Sequence, residues 1–336
     1  MLTTRLLAPV AATIWFTTLM NAGTSAYQIQ GVQAGGRVIP LAWQSLPVRY
    51  FVTDRGAGGV SSADLQGAVQ RSFATWEGVS QATVSATFAG FTSANPFDDD
   101  GISTLGFLNR PDLDRVLGAT DYLIDDVTGA IVESDIYFNS AFQWSVAAAG
   151  EAGKFDLQSI ATHEIGHFFG LGHSALGETE LRPDGGRRVI AAESVLFPIA
   201  FSAGTTLGRT LRADDIAGIS ELYPAVTERR STGLIAGTVT KNGAGVFGAH
   251  VVTYNPVTGT LVGGLTLDST GRFAIGGLSP GPHIIRVEPL DDADLDSFFN
   301  DTSGVDVDFR VAFSERLAVA PRGGTSASVV VQVEAK

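Results

Sequence analysis

Residues 163–173 read HEIGHFFGLGH. His163 and His167 are four residues apart, so on a helix both imidazoles leave the same face about one turn apart. Two neutral ring nitrogens at that spacing can share one cation. Gly170 has no Cβ, so the chain can turn sharply there and bring His173 back as a third ligand. Three nitrogen ligands leave the fourth position of a tetrahedral zinc ion open to water, as in a catalytic rather than a structural site. Glu164, next to the first ligand, points toward that position. Its carboxylate can take a proton from water attacking a carbonyl carbon and later pass it to the leaving amine. Three of the five histidines fall in this window. That density argues against a core helix carrying incidental histidines.

The elements that must position these residues are legible nearby. Asp156 can cap a helix carrying Leu157, Ile160, Ala161, Glu164 and Phe168, with Gly170 ending it. Upstream, residues 46–52, 84–88 and 131–138 read as strands. Ser61 or Ser62 can cap a helix whose Leu65, Ala68, Val69, Ser72, Phe73 and Trp76 share one face. Residues 27–40 read as a loose lead-in and 90–104 as loop. Residues 174–193 read as an irregular charged loop. Residues 211–223 predict a last helix, ended by Pro224. This pattern predicts an α+β domain over residues 27–226. Residues 227–232 read as a polar linker. Short β runs at 235–239, 250–254, 264–267, 272–275, 283–287 and 328–333 then predict an all-β sandwich over 233–336.

The 336 residues give room for two cores, and 44% hydrophobic against 17% charged residues excludes a disordered chain. A net charge of −13 excludes a nucleic-acid partner, which needs clustered Lys and Arg. The first 26 residues have the layout of a secretory signal peptide. Arg5 is followed by an apolar run and by small residues ending at Ala26. The run is short for a membrane span, and no later stretch is long and apolar enough to be one. The mature protein is therefore expected to be secreted, extracellular or periplasmic, with no membrane span, and monomeric. There are no cysteines, and both methionines, Met1 and Met20, lie in the leader.

HExxHxxGxxH is the signature of the metzincin zinc peptidases, and residues 155–224 more closely resemble the matrixins, the matrix-metalloproteinase-like branch. Ser174 follows the third histidine as in that family. Ser194-Val195-Leu196-Phe197-Pro198 stands where matrixins carry S-V-M-Y-P, and residues 211–219 (LRADDIAGI) resemble their final helix with its Asp pair. The resemblance extends more loosely to residue 43, through Phe73 and Trp76 and through residues 134–139. It implies a zincin-like fold, a secreted zinc endopeptidase acting on protein or peptide substrates, His163, His167 and His173 as metal ligands, and Glu164 as the catalytic residue.

The chain departs from that family in three places. Leu196 stands where the family places a Met beneath the ligands; the two have similar volume, so the swap should be mild. Without cysteine, the family's thiolate latch cannot operate. With this domain's histidines already engaged, the second, structural zinc of many matrixins should be absent. The resemblance also implies a pocket walled by Pro198, Ile199 and Ala200, with Ala200 opening a wall that carries Tyr in animal members.

Calcium as a further cofactor is an open expectation. Asp98-Asp99-Asp100-Gly101, Asp125 and Asp126 offer hard oxygen ligands, and a solvated acidic loop reads equally well. Residues 292–296 (DADLD) look like half of an EF-hand loop without its Gly and final Glu. Residues 233–290 resemble a carboxypeptidase-regulatory, transthyretin-like sandwich, through residues 235–239, 248–251, 266–273 and 278–281. His250 and His283 read there as strand residues rather than ligands. The competing reading of the whole chain is an exported binding or adhesion protein in which a non-catalytic peptidase scaffold presents the β module. The intact Glu164 counts against it.

Overall fold

The computed structural model describes residues 3–10, 29–34, 37–183, 185–226 and 231–336. The strands are β1 (Thr3–Val10), β2 (Gly31–Ala34), β3 (Arg37–Pro40), β4 (Val48–Thr53), β5 (Ala86–Thr92), β6 (Ser103–Leu108), β7 (Gly118–Asp125) and β8 (Ile131–Asn139). Helix α1 (Ser62–Glu77) follows β4, and α2 (Leu157–Phe168) follows β8 and a short two-residue pairing, β9 (Trp144–Ser145) with β10 (Phe155–Asp156). Six strands form one sheet in the order β1-β7-β8-β6-β4-β5. β4, β5, β6 and β8 run parallel, and β7 is antiparallel to β8.

Ser61 caps α1, its hydroxyl accepting from the Asp64 amide at 3.1 Å. The face expected for α1 is the buried one: Leu65, Ala68, Val69, Ser72, Phe73 and Trp76 are all buried. Trp76 is fully buried and donates its indole N–H to the Thr162 carbonyl at 2.8 Å, which fixes α1 against α2. A large ring that also satisfies its polar atom anchors such a contact well.

The sequence reading missed β6 and β7, and two segments are more regular than expected. The 27–40 lead-in contains the β2–β3 hairpin, whose entry is tied to the loop after α2 by Gln30 N donating to Gly170 O at 2.9 Å. The 174–193 loop is a hairpin of β11 (Gly177–Leu181) and β12 (Arg187–Ala192). Its alternation was hidden by charged residues on both strands, of which Arg188 and Glu180 pair across it at 2.6 Å. The leader expected over residues 1–26 lies largely outside the described residues; its 3–10 portion is β1, antiparallel on the outer edge of β7. Of the linker expected at 227–232, residues 227–230 lie outside the described residues.

After α3 (Ala213–Leu222) the described chain is β-rich, with β13 (Gly233–Lys241), β14 (Ala244–Gly245), β15 (His250–Tyr254), β16 (Leu261–Leu265), β17 (Arg272–Leu278), β18 (Gly281–Glu288), β19 (Ala312–Phe313), β20 (Ala318–Ala320) and β21 (Val329–Val333). One sheet holds β14-β13-β17 with β21 parallel to β13; a second holds β16-β15-β18-β19 with β20 on β18. Alternate residues of both, including Ile235, Val239, Val251, Ile285 and Val287, share one apolar cluster. Burying one face and exposing the other is the period-two signature of strands.

Candidate metal centre

Asp156 starts α2, accepting from the Ser159 amide at 2.9 Å, and Arg209 donates to the same carboxylate from Nε at 2.8 Å. The far end of α2 is closed by aromatic side chains. Helix ends leave carbonyls without intrahelical partners. Here Tyr122 donates to the His167 carbonyl, Trp43 to the Phe168 carbonyl at 2.8 Å, and Tyr223 to the Phe169 carbonyl at 2.8 Å. Gly170 then turns the chain at φ +97°, where a Cβ would lie 2.3 Å from the Leu41 carbonyl oxygen. The turn that brings His173 back therefore needs glycine twice, for its backbone angle and for the close approach.

The structure brings all three predicted ligands together. His163, His167 and His173 are buried, and one ring nitrogen from each lies within 4.8 Å of the others. His163 Nε2 and His167 Nε2 are 3.0 Å apart. The opposite ring nitrogens are engaged by backbone carbonyls: His163 Nδ1 by Val195 O at 2.6 Å, His167 Nδ1 by Leu171 O at 2.8 Å, and His173 Nδ1 by Ser297 O at 2.9 Å. A carbonyl only accepts, so each Nδ1 carries the hydrogen and each Nε2 is left with its lone pair. Burial pushes His167 down to about 3 and His163 well below its usual value, with the neighbouring histidines adding to the effect. Neutral imidazoles with converging lone pairs are the donor set that zinc takes.

Glu164 is fully buried beside this cluster. Thr120 on β7 donates to its Oε2 at 2.7 Å, and Oε1 is buried with no hydrogen-bond partner among the described residues. Burial raises the Glu164 carboxyl well above the usual range, and the Thr120 hydrogen bond opposes that rise. Thr120 was not found from the sequence, because nothing in its neighbourhood marks it. Replacing Thr120 by Val removes a donor that favours the charged carboxylate. The carboxylate then forms only at higher pH, so the acidic limb of a pH–rate profile should move upward. An unmoved limb would contradict this contact.

The Asp pair of α3 holds the rest of the site. Asp215 accepts from the Val195 amide at 3.0 Å, from the Ser194 hydroxyl and from the Arg212 amide at 2.7 Å. It thereby fixes the turn whose Val195 carbonyl engages His163. Asp214 accepts from the Ser174 hydroxyl at 2.6 Å and from the Gly263 amide at 2.9 Å; burial and the adjacent Asp215 push it up to about 7. Leu196 is buried, and its side chain lies 2.7 Å from where a Cβ on Gly166 would stand, against the helix turn between His163 and His167. Leu196→Met should leave stability within ~1.5 kcal/mol, whereas Leu196→Ala should cost ~2–5 kcal/mol through the cavity it leaves. Chemical denaturation of the three chains distinguishes these outcomes.

A cavity beside His163 is lined by Ile160, Val195, Ile199, Ala200 and Phe201, with Pro198 buried next to it. The acidic residues read as calcium ligands are otherwise engaged in part. Asp125 Oδ1 accepts from the Val127 and Thr128 amides at 3.0 Å, and Asp100 from the Ile102 amide at 3.1 Å. Asp292, in the half EF-hand pattern, accepts from Thr179. His250 pairs with Glu288 at 3.0 Å, and His283 Nδ1 engages the Gly281 carbonyl at 3.1 Å; neither belongs to the cluster.

Residues 42–183 match the matrixin family. The match stops short of Ser194–Pro198 and of the α3 sequence. A protein of Arabidopsis thaliana described as metalloendoproteinase 2-MMP is 26% identical over 174 residues, covering 48% of this chain and 38% of that protein. This chain thus matches well under half of that relative's length. Both findings support a zincin-like α+β fold and a metallopeptidase for this part of the chain, and the histidine cluster fits the zinc that matrixins bind. No helix among the described residues is long and apolar enough to cross a membrane.

Proposed function

We propose that this chain is a secreted zinc endopeptidase, with His163, His167 and His173 as metal ligands and Glu164 as the catalytic proton carrier. The observation that carries the reading is the shared arrangement of three buried imidazoles, each Nδ1 held by a carbonyl and one ring nitrogen of each within 4.8 Å of the others. Zinc bound there would lower the pKa of a water molecule and polarise a substrate carbonyl.

The remaining work falls to side chains of the protein. Glu164, with Oε2 held by Thr120, offers Oε1 as proton acceptor and then as donor to the leaving amine. β7 supplies a place for the substrate backbone. Its outer edge already takes an extended segment of this chain, β1, with Val10 opposite Gly118. Gly118 lies beside the Glu164 carboxylate, since a Cβ there would stand 2.9 Å from Oε1. A substrate strand on the same edge would gain main-chain hydrogen bonds and pass the metal cluster. Removal of the leader would clear that edge. The cavity beside His163 suits an apolar side chain of the substrate.

We assign residues 233–336 to a carboxypeptidase-regulatory-like β-sandwich. The test of the proposal is hydrolysis of casein or a peptide library by the mature chain. Turnover should vanish with a chelator and return with zinc. Surface binding by the chain with no turnover of any peptide would favour the adhesion reading instead.

A further inference from the structure

Two of the three carbonyls that orient the ligands come from chain close to the ligands themselves: Leu171 from the ligand loop and Val195 from the turn after β12. The third does not. Ser297, which engages His173 Nδ1, lies 124 residues downstream in the β-rich C-terminal region. Partners of this kind set the tautomer and the ring angle of a metal-binding histidine.

The carbonyl is delivered by a built segment. Residues Leu295–Ser297 form a single 3₁₀ turn, closed by Phe298 N to Leu295 O at 3.0 Å. Phe298 and Phe299 are buried and pack in one cluster with Val189 and Phe197 of the peptidase part. Just upstream, Asp292 Oδ1 accepts from the Thr179 amide at 2.6 Å, and the Asp292 carbonyl accepts from the Thr179 hydroxyl at 2.8 Å. Arg187 donates to the Asp291 carbonyl at 2.7 Å. At the residue after His173, Asp214 joins Ser174 to the Gly263 amide of β16. Two backbone groups of the C-terminal region, the Ser297 carbonyl and the Gly263 amide, are thus tied to His173 and, through Asp214, to Ser174 beside it.

We infer that the C-terminal β region is a positioning part of the metal centre, its Ser297 carbonyl setting the His173 ring and Asp292 holding the segment that carries it. This rests on the zinc reading above. The carbonyl meets Nδ1 and not Nε2, so the segment engages the ring nitrogen that the metal does not need. The C-terminal region is then not a detachable module for binding something else, because His173 takes its orientation from it.

The experiment uses the full chain and two variants, Asp292→Ala and Asp292→Asn. Asparagine keeps an oxygen that accepts from Thr179; alanine does not. Zinc affinity is read by competition with a chromogenic chelator, and the ring N–H signals are read by NMR of the zinc-loaded chain with ¹⁵N-labelled histidine. The parent chain should show slowly exchanging Nδ1–H signals for His163, His167 and His173. In Asp292→Ala, zinc should bind about 10-fold or more weakly and only the His173 signal should be lost, while Asp292→Asn keeps both properties. Equal zinc affinity in Asp292→Ala, loss of the His163 and His173 signals together, or no protected His173 Nδ1–H in the parent chain would overturn the inference. A parent chain that binds no zinc at all would instead overturn the peptidase proposal.

Discussion

Glu164→Gln should bind zinc as tightly as the parent chain and hydrolyse peptides ~10²–10⁴-fold more slowly. The grouped nitrogens belong to the three histidines, so changing Glu164 removes no ligand. Glutamine has nearly the same volume, and its carbonyl oxygen can still accept from Thr120, which keeps the buried side chain in place. What it loses is the ability to hold a proton at Oε1. The loss should appear in kcat with KM little changed, because the proton moves only in the transition state. Zinc binding by competition and steady-state kinetics on the same preparation decide the matter. A Glu164→Gln chain with parental kcat would remove Glu164 from the reaction, and one that fails to bind zinc would make it part of the ligand set.

The second large effect is structural. Gly170→Ala should lower unfolding stability by about 3 kcal/mol or more and weaken zinc binding with it. An alanine at φ +97° costs roughly 1–3 kcal/mol in backbone strain alone. Its Cβ would also stand 2.3 Å from Leu41 O, a backbone atom held in turn by its place after the Gln30 contact. Relief requires moving the ligand loop. That loop carries the Leu171 carbonyl that orients His167, and it leads directly to His173. With typical domain stabilities of ~5–15 kcal/mol, such a loss is a large fraction of the whole. Urea unfolding of the metal-free chain measures the first effect, and chelator competition measures the second. Parental values for both would show that the turn does not depend on glycine.

The site was more legible than its surroundings, for reasons visible residue by residue. His163, His167, His173 and Glu164 announce themselves because helical period and a glycine turn leave few other uses for that spacing. The Asp pair was recognisable as a pattern, but its roles were not. Only the fold shows that Asp215 holds the Val195 turn behind His163 and that Asp214 ties Ser174 to β16. Thr120 lies 44 residues from Glu164 and meets it across two elements, a distance that local pattern cannot bridge. Ser297 is further still, and the atom that matters is a carbonyl every residue possesses. Among the elements, α1 and α2 followed from capping and apolar period. β7 did not, because its buried Thr120 and Asp121 interrupt the apolar alternation by which strands are read. The β11–β12 hairpin carries too many charges for its period to show.

The most direct test of the account is turnover of a quenched-fluorescent peptide library by the chelator-stripped full chain as zinc is titrated in. Turnover should start near zero, rise in proportion to added zinc and break sharply at a single equivalent per chain. Turnover that does not depend on zinc, or zinc binding with no cleavage of any peptide, would contradict the claim that these three histidines hold a catalytic metal.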